Sequence, residues 1–176
     1  MQTQDNMERN MCMAKKISML ALFSAFAIIL SYVESFLPVT GIPGVKLGLA
    51  NFAVVLVMYL LSNREALLIN VVRIVLVGSM FGNISGILFS ISGAVISFGV
   101  MVIFKKTGLF SIIPVAITGG VFHNIGQIIV AALVVDTFNI VIYIPALIVS
   151  GIITGFIIGI LSQIIYSRTK DIFHNI

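Results

Sequence analysis

The sequence predicts an all-α protein that crosses a membrane six times, with both termini in the cytoplasm. Of its 176 residues, 60% are hydrophobic and 9% are charged, whereas a soluble domain carries about 25% charged residues. The apolar residues form long runs, and basic residues end these runs on alternate sides, as the cytoplasmic preference of Lys and Arg predicts. The residues that follow this alternation are Arg9, Lys15, Lys16, Arg64, Lys105, Lys106, Arg168 and Lys170.

The thickness of the bilayer places the six predicted helices. A helix needs about 20 apolar residues to cross a hydrocarbon core of about 30 Å. The segments that reach or approach this length are 17–36, 48–61, 66–81, 84–104, 112–135 and 140–166. Segments one, three and five run outward, and the other three return to the cytoplasm. Segment two has about 14 residues, so it is tilted, broken, or shielded by protein rather than lipid.

The connections contain residues that end or begin helices. The external loop 37–47 holds two prolines and two glycines, which do not continue a helix. Ser62 or Asn63 can cap the third helix, and a turn at 82–83 precedes the fourth. Pro145 lies near the start of the sixth helix, where a missing N–H costs least.

The chain divides into one membrane domain and two short ends. We predict a disordered polar leader at 1–13, a single domain at 14–170 and a cytoplasmic tail at 171–176. The one cysteine, Cys12, lies in the leader. It excludes an internal disulfide and a thiolate metal cluster of the usual spacing.

Two sets of small residues have the spacing of helix-packing faces. Gly151, Gly155 and Gly159 form a double GxxxG in segment six, and Ala21 and Ala25 form an AxxxA in segment one. Such faces serve close packing within a bundle or docking of another membrane protein. We expect packing for the glycines, and both interpretations stay open for the alanines.

Lys46 and Arg73 depart from the alternation of basic residues. Arg73 lies about nine residues, or about 13 Å, beyond Arg64, which places it near the middle of the bilayer. A charge at this depth is expensive and indicates a functional site. We expect eight polar residues to line one pocket that opens to the outside: Glu34, Lys46, Asn51, Asn70, Arg73, His123, Asn124 and Gln127.

This composition of side chains fits a ligand with an anionic head. A guanidinium binds a carboxylate or phosphate with two hydrogen bonds, and amides fix the orientation of a ligand. The alternative is that Arg73 pairs with Glu34 while the amides and His123 make hydrogen bonds between helices.

Motifs of several enzyme classes are missing from the sequence. It has no DDxxD, GxxxxGK[ST] or HExxH motif and no serine nucleophile elbow. Away from the cytoplasmic ends and turns, its carboxylates are Glu34 and Asp136, which are too few for paired acid–base work. We therefore predict no enzyme activity, catalytic residue, metal or cofactor. The net charge of +4 is spread over loop ends, so nucleic acid is not expected as a partner.

Several runs of the sequence resemble a known family. They are KLGLAN at 46–51, Arg73 with Gly78 and Phe81 after it, and HNIGQ at 123–127. These runs resemble the Gx transporter family, which is also catalogued as heptaprenyl diphosphate synthase component I. The resemblance extends over most of the chain after the leader.

A second resemblance concerns the first segment alone. Ala21 and Ala25, preceded by Lys15 and Lys16, are similar to the first helix of S components of energy-coupling factor transporters. This resemblance implies a six-helix bundle whose AxxxA face docks on a transmembrane coupling subunit, with paired ATPases that supply the energy.

These observations predict an S-component-like subunit in a bacterial cytoplasmic membrane. It would capture a small anionic or amphipathic metabolite from outside and work with a separate ATP-driven module. The family resemblance supports a second hypothesis, a noncatalytic membrane subunit of polyprenyl or quinone metabolism that scaffolds a soluble synthase. A third is a structural component of a flavin-based extracellular electron transfer system.

Overall fold

The structure, a computed structural model, describes residues 2–36, 48–81, 84–134 and 142–173. Within these ranges the chain forms helices and no strands, which confirms the all-α prediction. The helices are α1 (Gln2–Ser35), α2 (Asn51–Leu60), α3 (Asn63–Phe81), α4 (Ile84–Lys106), α5 (Ile112–Val134) and α6 (Ile144–Phe173).

Four stretches of these helices are long and apolar enough to cross a membrane. They are Met13–Glu34, Ile84–Lys106, Ile112–Val134 and Ile144–Asp171. α2 is too short to be counted with them, and α3 carries Arg64, Glu65 and Arg73 among its 19 residues. The four long helices indicate an integral membrane protein.

The short helix α2 lies at the centre of the molecule. Nine of its ten residues are buried, and it contacts α1, α3, α5 and α6. Ten residues span about 15 Å, half of the hydrocarbon thickness. Of the three possibilities for segment two, the structure shows shielding by protein. The helix begins later than the predicted segment because Gly48 has a φ of 84°, which does not belong to a right-handed helix.

The leader differs from the prediction. Residues 1–13 were expected to be disordered, but α1 begins at Gln2. No Pro or Gly occurs in α1, so nothing in the sequence ends the helix between the leader and the apolar segment. α6 ends at Phe173, within the predicted cytoplasmic tail, whose place relative to the membrane stays a prediction.

Lys16 and Lys105 make three polar contacts that join helices at one end of the molecule. Lys16 Nζ lies 2.6 Å from Glu65 Oε1, and this hydrogen bond holds the pKa of Glu65 below its ordinary value. Lys105 Nζ donates to the Met58 carbonyl in the last turn of α2 and to Asn63 Oδ1 at 3.0 Å. Lys105 therefore satisfies a carbonyl that the end of a helix leaves without a partner.

Three glycines bring the backbones of α5 and α6 together. A Cβ added at Gly151 would lie 2.9 Å from the Gly120 carbonyl oxygen, and one at Gly155 would lie 2.6 Å from Ile117 Cα. A Cβ at Gly159 would likewise lie 2.8 Å from the backbone of α5. These distances are too short for a side chain, so glycine is what permits this helix contact.

Candidate functional site

Glu34 places a carboxylate at the start of α2. The side chain is 2% exposed, and its Oε1 accepts hydrogen bonds from the backbone N–H groups of Gly48 and Leu49, the latter at 3.1 Å. Ala50 precedes α2 and offers no side-chain cap. These N–H groups belong to the turn just before α2, and a carboxylate this close to the positive end of the helix stabilises the buried helix start.

Arg73 lies buried between α1 and α3. Its Nη1 donates to Ser31 Oγ at 3.3 Å, and its Nη2 donates to Asn70 Oδ1. Its charge also attracts the carboxylate of Glu34, which lies almost one turn beyond Ser31 on α1. The Nε of Arg73 is buried and has no hydrogen-bond partner in the structure.

His123 and Gln127 extend the polar region into α5. Both side chains are buried, and Gln127 Nε2 lies 3.0 Å from His123 Nε2. Gly93 of α4 packs against them: a Cβ there would lie 2.8 Å from the His123 carbonyl oxygen and 2.9 Å from Gln127 Cγ. A glycine at this position therefore lets α4 approach the two side chains.

Asn51, the first residue of α2, has a buried amide without a partner. The side chain is 2% exposed, and neither its Nδ2 nor its Oδ1 makes a hydrogen bond in the structure. Buried polar side chains are nearly always hydrogen-bonded, and each exception calls for an explanation.

Gly48 is the point at which these groups meet. Its N–H donates to Glu34, and a Cβ added to it would lie 3.1 Å from Asn51 Nδ2 and 3.2 Å from His123 Cδ2. The left-handed φ of 84° also favours glycine. Contacts through Gly48 and Glu34 thus connect six of the predicted residues, here named the polar cluster: Glu34, Asn51, Asn70, Arg73, His123 and Gln127.

The polar cluster leaves out two of the eight predicted pocket residues. Asn124 turns to α6, where its Nδ2 donates to the Leu147 carbonyl at 2.8 Å and lies 3.2 Å from Ser150 Oγ. Lys46 lies outside the described residues. Ser31, Gly48 and Gly93 were not predicted as site residues, although Gly48 stands within the KLGLAN run.

A groove between α3 and α4 adjoins the polar cluster. The cavity has a volume of about 240 Å³, and its lining is apolar except for Asn70. Asn70 therefore faces both the groove and Arg73. On the outside of α1, Ala21 and Ala25 are exposed.

A scan of protein families gives one decisive observation. Residues 23–165 match the model of the family described as heptaprenyl diphosphate synthase component I. The chain belongs to this family. The match begins within α1 and ends within α6. Every residue of the polar cluster therefore lies within the part of the chain that defines the family. Comparisons with curated proteins and with solved structures found no match.

The family description names one component of a synthase, which implies at least one further component. In the described part of the chain, no three His, Cys, Asp or Glu side chains are grouped to hold a metal ion. The polar cluster of this family member contains a buried guanidinium, a carboxylate, an imidazole and amides, which are groups that can hydrogen-bond and orient a polar ligand.

Proposed function

We propose that this chain is a membrane-embedded ligand-binding subunit of a multi-component system. It crosses the membrane six times, captures a small molecule with an anionic head from the outside, and works with a separate ATP-driven module. The observation that carries the proposal is the buried amide of Asn51, which makes no hydrogen bond and lies within the polar cluster.

The energetic reason is the cost of buried polar groups that have no partner. Leaving a buried donor or acceptor unsatisfied costs about 1–3 kcal/mol. Asn51 has two such atoms, and Arg73 Nε is a third. A carboxylate or phosphate accepts hydrogen bonds from the guanidinium and from the Asn51 amide, so binding such a group removes this cost.

The position of the cluster also supports ligand binding. α2 spans about half of the bilayer and starts at the cluster. Transporters use the N-termini of such short helices, near the membrane midplane, to bind anionic groups of their substrates. In this chain the carboxylate of Glu34 already accepts from the backbone N–H groups before α2, so the positive charge that would bind an anionic head is the guanidinium of Arg73.

The face of α1 that carries Ala21 and Ala25 is the proposed docking surface for a coupling subunit. Within the described residues, α1 packs against α2 and α3. Its exposed side includes Ile17, Leu22 and Ile29, together with the small face of the two alanines. The sequence contains no nucleotide-binding motif, so partner subunits would hydrolyse ATP.

Native mass spectrometry of the purified protein tests ligand binding. Wild type, Arg73→Ala and Arg64→Ala are exposed to flavins, thiamin-like vitamins, quinone precursors and prenyl diphosphates. Arg64 is the matched control because it is exposed on the same helix. We expect wild type and Arg64→Ala to retain a ligand and Arg73→Ala to lose it while staying folded. If all three proteins fold and none of them retains a ligand, the proposal is contradicted.

The family match favours a second function, a noncatalytic membrane subunit of a prenyl diphosphate synthase. In that case the chain would form a stable complex with a soluble synthase component and bind prenyl diphosphate from the cytoplasmic side. Purification of the tagged chain from native membranes separates the two proposals. A coupling subunit with ATPases supports the first, and a soluble synthase without ATPases supports the second.

A further inference from the structure

We propose that the ligand is an amphiphile whose hydrocarbon chain lies in the groove between α3 and α4 while its anionic head contacts Arg73. This inference rests on the proposed function and narrows its ligand class. A small anion dissolved in water would need the polar cluster alone, whereas an amphiphile dissolved in the bilayer would need the groove as well.

The size and lining of the groove fit part of a ligand. Its volume of about 240 Å³ is below the range of about 300–1,000 Å³ for pockets that enclose a whole drug-sized ligand. Apart from Asn70, its lining residues are aliphatic. Such a space suits a hydrocarbon chain and provides no site for a second polar group.

Asn70 makes the groove and the polar cluster continuous. Its side chain lines the groove, and its Oδ1 accepts a hydrogen bond from Arg73 Nη2. A groove that held only the hydrocarbon chain of a lipid would not need a buried cation such as Arg73, which is separated from the groove by the side chain of Asn70 alone. The Nε of Arg73 makes no hydrogen bond in the structure, and a charge inside the membrane is costly, so an occupant of this groove with an anionic end would supply the partner that this atom lacks.

The packing of α3 against α4 gives the groove one closed and one open side. The helices touch at Gly78, where a Cβ would lie 2.5 Å from Ile87 Cγ1. The groove lies on the N-terminal side of this contact along α3, and its outer edge includes the exposed side chains of Leu67, Val71 and Val95. A hydrocarbon chain can therefore enter sideways from the bilayer.

The absence of tryptophan from the sequence allows a direct test by fluorescence. Leu67→Trp places a reporter at the groove, and Ile103→Trp places the matched control on the exposed side of α4, away from the groove. Both proteins are reconstituted in nanodiscs of phosphatidylcholine. They are titrated with dodecyl phosphate that carries bromine at its chain end, which quenches tryptophan on contact.

The proposal predicts saturable quenching of Leu67→Trp and only linear, partition-driven quenching of Ile103→Trp. Adding Arg73→Ala to the Leu67→Trp protein should weaken the saturable phase at least about tenfold, because the head loses a charge-assisted contact. The brominated dodecanol, which has no phosphate, should give no saturable phase. Equal quenching at both reporters, or quenching that Arg73→Ala leaves unchanged, would show ordinary lipid in the groove and overturn the proposal.

A substitution that fills the groove separates this inference from the proposed function. Ala94 is buried and lines the groove, so Ala94→Leu should remove the saturable phase in the Leu67→Trp protein. The opposite outcome is that Ala94→Leu retains the ligand as wild type does, while Arg73→Ala still loses it. The proposed binding function would then stand, and the placement of the chain in the groove would be wrong.

Discussion

Glu34 links two charged features of the molecule, the start of α2 and the guanidinium of Arg73. Its Oε1 accepts from the backbone before α2, while its charge attracts Arg73. The hydrogen bonds of Arg73 go to Ser31 and Asn70. A purely structural ion pair would account for the attraction, but it would not account for the Asn51 amide.

A double-mutant cycle measures this attraction. Glu34→Gln and Arg73→Gln should each destabilise the protein by up to about 3–5 kcal/mol, because each leaves a buried charge without its counterpart. The double variant should recover part of this loss. Unfolding in detergent gives the free energies, and Lys16 with Glu65, a partly exposed pair, is the control, with an expected coupling of about 0–1 kcal/mol. Additive effects at Glu34 and Arg73 would contradict the attraction.

The neighbours His123 and Asn124 show where prediction from the sequence reaches its limit. Successive residues of a helix are about 100° apart, so the two side chains turn to different helices. The sequence places both in the middle of segment five, but only the packing of α5 decides that His123 meets Gly93 of α4 and Asn124 meets α6. Ser31 and Gly48 escaped prediction for the same reason, since their importance depends on contacts across helices.

For α2, the sequence does not predict whether lipid or protein surrounds the helix. Apart from Asn51 and Tyr59, its residues are apolar on every side, and lipid and protein neighbours favour the same apolar side chains. Its length excluded an ordinary crossing, yet only the structure shows that four other helices surround it. α1 begins before the predicted membrane segment 17–36 and α6 ends after the predicted segment 140–166, because their polar extensions continue an existing helix.

The contact of α5 with α6 can be tested at a single glycine. Gly155→Ala should destabilise the protein by about 1–3 kcal/mol, since its Cβ would meet the backbone of α5 and force the helices apart. Gly99→Ala is the control because a Cβ there meets nothing within 4 Å, and it should be neutral or stabilising. Thermal unfolding in detergent compares the two. Equal midpoints for Gly155→Ala and wild type would refute the close contact.

At the scale of the whole molecule, the central prediction is orientation. The alternation of basic residues predicts that both termini lie in the cytoplasm, and the four long apolar helices support insertion in a membrane. Six crossings require α2 and α3 to complete the path through the bilayer. If α3 crosses the bilayer, the contacts of Arg73 with Ser31 and Asn70 provide the partners that a charged residue inside a membrane needs.

The single cysteine gives a simple measurement of this orientation. A membrane-impermeant maleimide should label Cys12 only after the cells are opened, because the leader is expected in the cytoplasm. A Cys12→Ser variant with Lys170→Cys should behave in the same way. Labelling of either position in intact cells would contradict the predicted topology.

The whole account depends on the claim that the Asn51 amide, which makes no hydrogen bond in the structure, forms hydrogen bonds with a ligand. A buried polar group without a partner costs about 1–3 kcal/mol, and an apolar side chain of similar shape at the same place does not bear this cost. Asn51→Leu should therefore unfold at an equal or higher temperature than wild type when no ligand is present.

The decisive measurement is thermal unfolding of Asn51→Leu combined with ligand retention by native mass spectrometry. The account predicts undiminished stability and lost retention in the same variant, the exchange of stability for function that is typical of a binding site. A destabilised Asn51→Leu that still retains the wild-type ligand would show that the amide serves the fold, and it would contradict the account.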